Sequence, residues 1–429
     1  MKFLFRPRRL FNIVEKLRAS QGEANRLLRQ ANVELTIARR EIATARTQIN
    51  ALKGKLKNPA QRPGLELALK SSILAEAPAI LHVSDGLGSE FHIDLWLQHL
   101  REALGQHVVV VVRVAALFDA IKARPDVDCI FVRDGRDAEN LAAQCPKLKA
   151  IFYASNTGTV IHFIRLNHLT HVFLGHGDSE KAASCHRFFR VYDEVWTAGQ
   201  AHIDRFTASG LDFLGLNFRV VGRPMLRGLL KERPTAATGR FLYLPTWEGY
   251  QDSQNYSSLP CAPALLERVA DLTDRFPVVK FHPLTGTQKK EPPYREATLK
   301  TCFLESEIDI RPRSQAIAGI IHEVDFLISD ISSVITDFLA TLKPIFVFIP
   351  TEARIRLSAS QMPYDAYAYL FSTDEELAAL VEQVVVQGRD DLAEARRKAL
   401  DYFIDVEATV TDQFGRELKR LCLAQDPLM

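Results

Sequence analysis

Three short stretches carry residue types suited to phosphate chemistry. Asp330-Ile331-Ser332-Ser333-Val334-Ile335-Thr336-Asp337-Phe338 follows the apolar run Phe326–Ile328, the pattern of a strand that ends in a polar turn and opens a helix. Ser332 or Ser333 can cap that helix, whose first-turn amides have no intrahelical partners. Hydroxyls, open amides and the positive end of a helix dipole make a seat for an anion, most often phosphate. An ordinary helix cap uses the same residues, so the seat gains meaning from what accompanies it. Lys280-Phe281-His282-Pro283 lies about fifty residues upstream and His176-Gly177 in the other half of the chain. Histidine titrates near neutrality and suits proton transfer.

The elements that must position these groups are short Val- and Ile-rich runs separated by amphipathic stretches. Strands are expected at Ile80–Val83, His107–Val114, Cys129–Val132, Ala150–Tyr153, His171–Leu174, Glu194–Trp196 and Arg219–Val221. A second series follows at Phe241–Leu244, Val278–Phe281, Phe326–Ile328 and Ile345–Phe348. This alternation predicts parallel sheets covered by helices on both faces. The expected architecture is α/β: one domain over 76–225 and a second over 238–425, facing one another as doubly wound, Rossmann-like halves. The proline-containing stretch Gly222–Thr238 serves as hinge. Ligands of such folds bind at the carboxyl ends of strands. His176, Thr246, His282 and Ser332 each follow a predicted strand. Asp85-Gly86-Leu87-Gly88, after the first strand, lacks the third glycine of a dinucleotide loop and reads as a cleft loop.

Composition narrows the class. The chain has 429 residues, 47% hydrophobic and 25% charged, and a net charge of +2, as in ordinary globular proteins of more than one domain. That balance hides an asymmetry. Residues 1–57 carry 14 Lys/Arg against four Glu, which leaves the rest of the chain net acidic and argues against nucleic-acid binding. The six cysteines lack Cys-x-x-Cys spacing, and neither a metal site nor a cofactor is indicated. His162, His168, His171 and His186 read as structural or exposed. The absence of long apolar runs places the protein in the cytoplasm.

The N-terminal segment reads as a separate device. Val14, Gln21, Leu28, Leu35, Ile42, Ile49 and Leu56 alternate with Leu10, Leu17, Ala24, Ala31, Ala38, Ala45 and Leu52 as an a/d seam of about six heptads. An α-helical coiled coil over 10–57, self-associating into a homo-oligomer, is expected, with a helix along its own domain as the alternative. Ahead of it, Met1 to Phe11 interleaves apolar and cationic residues that suit an anionic membrane surface at the inner face of the cell membrane. Residues 58–75 form the linker.

Taken together, His176-Gly177-x-x-x-Lys181, Tyr243-x-Pro245-Thr246-Trp247, Lys280-x-His282-Pro283 and Ser329-Asp330-x-Ser332-Ser333-x-x-x-Asp337-Phe338 resemble the CDP-glycerol glycerophosphotransferases of teichoic-acid and capsule polymer synthesis. The resemblance spans about residues 150–350. It implies a GT-B-like fold, with the acceptor site in the half over 76–225, where the loop Asp85–Gly88 would face the acceptor, and the nucleotide site in the half over 238–425. It also implies transfer of glycerol phosphate from CDP-glycerol, or another cytidine-nucleotide donor, to a glycan or lipid-linked acceptor. Two family segments depart here, as Gly175-His176-Gly177-Asp178-Ser179-Glu180-Lys181 and Gly222-Arg223-Pro224-Met225-Leu226-Arg227. On this reading His176 takes the acceptor's proton and His282 stabilises the departing CMP. Thr246, Asp330, Ser332, Ser333, Asp337 and Arg223 bind donor, while Gly177 and Lys181 lie on the acceptor side. Arg223 contacts a phosphate or pairs with an acid at the hinge. Trp247 reads as packing. Two alternatives stand beside this one: a sialyltransferase-like capsule enzyme using a CMP-linked sugar, and a non-catalytic coiled-coil scaffold.

Overall fold

In the computed structural model the described residues are 66–423 apart from 69–70, 178–184, 233–237, 250–254, 290, 305–306 and 352–359. The basic segment and coiled coil expected over 1–57 lie outside them, as does Lys181. The described residues fall in one compact unit, Leu65–Met429.

Two sheets organise this unit. The first contains β1 (Glu66–Ala68), β2 (Ala79–Val83), β3 (Val108–Val112), β4 (Cys129–Phe131), β5 (Ala150–Tyr153), β6 (Thr170–Phe173), β7 (Glu194–Thr197) and β8 (Asn217–Val220). Its order is β1-β4-β3-β2-β5-β6-β7-β8. Every pairing is parallel except β1 with β4. The second sheet, all parallel, contains β9 (Phe241–Leu244), β10 (Val278–Val279), β11 (Phe326–Asp330), β12 (Ile345–Phe348) and β13 (Tyr369–Phe371) in the order β10-β9-β11-β12-β13.

The residue pattern explains this form. A parallel strand covered on both faces needs apolar side chains at every position. The β3 run of five valines is wholly buried, with Val108, Val110 and Val112 in one core and Val109 and Val111 in the other. The second sheet is sandwiched in the same way, Leu242 and Leu244 facing one core and Phe241 and Tyr243 the other. Both edge strands outside the expected series, β1 and β13, have only three residues, too few to show a period.

The chain then returns to the first half. The helix Ala393–Phe403 packs into a core of the second sheet through Ala399, Leu400 and Phe403. Asp405 N–H donates to Ala198 O at 2.8 Å, and the short helix Val406–Val410 lies against Gly222. A Cβ at residue 222 would come within 2.4 Å of Thr409 Oγ1, and its backbone φ is +75°, so only glycine fits. The last helix, Gln413–Cys422, buries Phe414, Leu418 and Cys422 in a core of the first sheet. Phe414 packs between Trp96 and Trp196, each 5.4 Å away between ring centroids. The two halves are thus tied by the chain running from one to the other and back. Among the described residues no helix is long and apolar enough to cross a membrane.

Candidate active site at the meeting of the two halves

The carboxyl ends of the two sheets bring the predicted groups together. After β6 the chain turns at Gly175-His176-Gly177. Trp96 Nε1–H, from the helix Glu90–Leu104, donates to Gly175 O at 2.7 Å. His176 Nδ1 lies 3.2 Å from Ala154 O. A carbonyl only accepts, so Nδ1 carries the proton in the neutral ring and Nε2 keeps its lone pair. The ring is reachable by solvent within the cleft, yet surrounding protein denies an imidazolium full hydration. That desolvation, followed by the neighbouring His92, pushes its pKa well down, and the ring is a free base at neutral pH.

The turn rests directly on the candidate phosphate seat. A Cβ on Gly177 would lie 2.6 Å from both Cβ and Oγ of Ser333. Ser333 occupies the N-cap position of the helix Val334–Leu339, and its hydroxyl makes no capping bond. Ser332 Oγ lies 3.3 Å from Ser329 Oγ. The His176 turn of one half and Ser333 of the other are therefore neighbours.

His282 approaches from the loop after β10. Its Nδ1 accepts from Leu284 N–H at 3.1 Å, which leaves the proton of the neutral ring on Nε2. Trp247 stacks near it, with centroids 6.2 Å apart and planes at 19°. Phe91 meets His176 and His282 edge to face, at 6.0 and 6.3 Å, so one ring touches both histidines. Close by, Gly88 packs on Leu284, where an added Cβ would come within 3.1 Å of a side-chain methyl.

Arg223, Asp337, Asp330 and Thr246 bond to one another and to neighbouring backbone. Arg223 donates to both carboxylate oxygens of Asp337, at 2.8 and 3.1 Å, and its Nη2 also lies 3.5 Å from His176 O. The acid that Arg223 pairs with is Asp337 of the helix Val334–Leu339, across from the hinge rather than at it. The pair joins the His176 turn to the helix that begins after Ser333. Asp330 is fully buried. Its carboxylate accepts from Thr246 N–H at 2.6 Å and from Ser258 N–H at 3.1 Å, which holds the loop after β9 rather than reaching into the cleft. Thr246 is likewise buried. Lys280 is 5% exposed, and burial, aided by Arg313, pushes its amine down to about 8. Among the described residues no group of three His, Cys, Asp or Glu could hold a metal ion.

Sequence reasoning missed Phe91 and His92. His92 stacks on His176 with centroids 4.4 Å apart and planes at 24°. Both residues begin the helix after the β2 loop, so they too sit at a strand's carboxyl end. Applied to helix first turns as well as loops, the strand-end rule would have found them.

Comparison with known proteins finds likenesses in sequence and in fold. Residues 229–409 match the sequence model of the family described as CDP-glycerol:poly(glycerophosphate) glycerophosphotransferase. The match includes Thr246, His282, Ser332, Ser333 and Asp337 and leaves out His176 and Arg223. No curated protein matches the chain in sequence. Among solved structures, the wall teichoic acid polymerase TagF is similar in fold, with a TM-score of 0.53 at 13% identity over 82% of this chain and 90% of that one. A histidine-to-asparagine variant of TagF soaked with CDPG gives 0.55 at 11% identity over 83% and 90%. These identities speak to fold, a GT-B-like pair of α/β halves.

Proposed function

We infer that this chain is a transferase of the CDP-glycerol glycerophosphotransferase type, moving glycerol phosphate from CDP-glycerol to a hydroxyl of a cell-surface glycan or lipid-linked acceptor and releasing CMP. The observation that carries this reading is the contact of Gly177 with Ser333, which sets the His176 turn, outside the family match, beside the serine pair that lies within it.

The chemistry follows from the side chains. Phosphoryl transfer depends mainly on positioning and on stabilising charge. The acceptor hydroxyl gives its proton to His176 Nε2 as its oxygen attacks the phosphorus that bears glycerol. The bond from that phosphorus to the bridging oxygen breaks, and CMP leaves with the electron pair. His282 Nε2–H donates to the diphosphate and steadies the charge on the leaving group. Ser332 and Ser333, at the positive end of a helix, hold the phosphate oxygens. Arg223, Asp337, Asp330 and Thr246 keep these groups in register.

The globular part is net acidic, so a small anionic donor would be held by local donors, His282 Nε2–H and the hydroxyls and amides of the seat. Residues 1–57 extend the proposal: the basic tip attaches the enzyme to an anionic membrane surface, and the heptads self-associate. Equal solution mass with and without residues 1–57 would contradict the self-association.

The catalytic assignment is tested with His176→Ala and His282→Ala in an assay of CDP-glycerol-dependent CMP release. Both should lose at least about a hundredfold in turnover with thermal midpoints near wild type. Near-wild-type turnover in either would remove that residue from the mechanism.

A further inference from the structure

His176 is held from behind by one helix face. His92 and Trp96, one turn apart on Glu90–Leu104, point to the same side. Trp96 anchors the turn through Gly175 O and His92 stacks on the imidazole itself. A stacking contact needs only a ring, and a phenyl would serve. The residue is instead a histidine that is 3% exposed, with its Nδ1 3.4 Å from Asp85 Oδ2. That distance is an ion-pair distance, and neither atom forms an aligned hydrogen bond. Burying such polar atoms costs free energy that apolar packing would not. Burial works against ionisation of Asp85, but its contacts with His92 and Ser155 prevail and hold the carboxyl below its usual range.

The charges around His176 can be counted by element. Arg223 approaches its carbonyl from the hinge and is itself paired with Asp337. His92 lies against the ring from the helix Glu90–Leu104, and His282 stands across Phe91. Asp85, from the β2 loop, is the acid whose field favours a proton on His176, while His92 and Arg223 oppose it.

We propose that Asp85 is a positioning residue for the base, acting through His92: it supplies, one imidazole away, the negative charge that His176 needs once it has taken the acceptor's proton. The arrangement differs from a hydrogen-bonded carboxylate–histidine pair. His176 spends its Nδ1–H on Ala154 O, and the counter-charge comes through the stacked face. The cleft loop Asp85–Gly88 thereby gains a catalytic reason for its acid.

The proposal rests on His176 being the base, and its test separates the two. The full-length enzyme and its Asp85→Asn and Asp85→Glu variants are assayed for CMP release from CDP-glycerol across pH. Thermal midpoints are recorded alongside, with Asp85→Ser as the charge-free variant if Asn does not fold. Removing the charge weakens the base, so the acid limb of kcat should move down by about one unit. The pH-independent kcat should drop about tenfold while KM for the donor holds. Asp85→Glu should restore the limb. A merely structural role would lower kcat and the thermal midpoint with the limb unmoved, and that result overturns the proposal. Failure of the wild-type enzyme to release CMP at all would instead overturn the function proposed above.

Discussion

Gly177→Ala is the smallest change that should separate the two halves of the site. The new Cβ would stand 2.6 Å from Cβ and Oγ of Ser333, on a backbone with φ of +154°. Ordinary carbon contacts lie at about 3.5–4.0 Å, so turn and helix must part by about 1 Å. Overpacking of this kind costs about 1–3 kcal/mol of stability, too little to unfold a domain of this size. Its effect on rate is larger. A misplacement of about 1 Å costs about a hundredfold, or about 2.7 kcal/mol on the barrier. Steady-state CMP release should show this loss mainly in kcat, because His176 moves relative to donor bound in the other half. Ser333→Gly removes both atoms that the new methyl meets. Adding Gly177→Ala to that variant should cost far less than adding it to wild type, a coupling that a double-mutant cycle measures. Equal losses in both backgrounds, or a Gly177→Ala enzyme within twofold of wild type, would refute the contact argument.

Other perturbations follow from the same geometry. Arg223→Lys keeps the charge but cannot span both oxygens of Asp337, so kcat should fall and Arg223→Ala should lose about 3–5 kcal/mol in denaturant unfolding; unchanged stability in the Ala variant would mean the pair carries no net energy. Phe91 touches both histidines, and Phe91→Ala should raise CDP-glycerol hydrolysis relative to transfer by admitting water; a constant ratio, read by product chromatography, would contradict this. His82 is fully buried with neither ring nitrogen hydrogen-bonded, and burial, then Arg113, push its pKa from 6.5 to about 3. Because the unfolded chain binds this proton and the folded one does not, stability falls as pH drops between those values, by about 1.4 kcal/mol per unit. His82→Leu should flatten that acid slope in urea titrations, and an unchanged slope would show that His82 takes no part in it.

Much of the placement of the candidate residues was legible because strand ends are. Each expected strand of both series is present, and His176, His282, Ser332 and Ser333 follow them into one cleft. Apolar runs announce a parallel strand, and the polar residue where the run stops announces its mouth. What pattern alone could not reveal is which polar residues face the ligand space. Asp330 and Ser332 are two positions apart, yet the first turns inward to bind the amides of Thr246 and Ser258 while the second stays at the surface of the cleft. Phe91 and His92 were hidden for the opposite reason, since both fit an amphipathic helix and only tertiary contact sets them beside His176. The return of Gln413–Cys422 to the first half was also unreadable, because an apolar helix face does not state which core it joins.

Donor selectivity decides the function most directly. Calorimetric titration of the full-length protein with CDP-glycerol, CMP, a CMP-linked sugar and a UDP-linked sugar should show selective binding of CDP-glycerol, lost when Ser332 and Ser333 are both replaced by Ala. Preference for the CMP-linked sugar would place the chain among sialyltransferase-like enzymes, and no nucleotide binding at all would contradict a catalytic role.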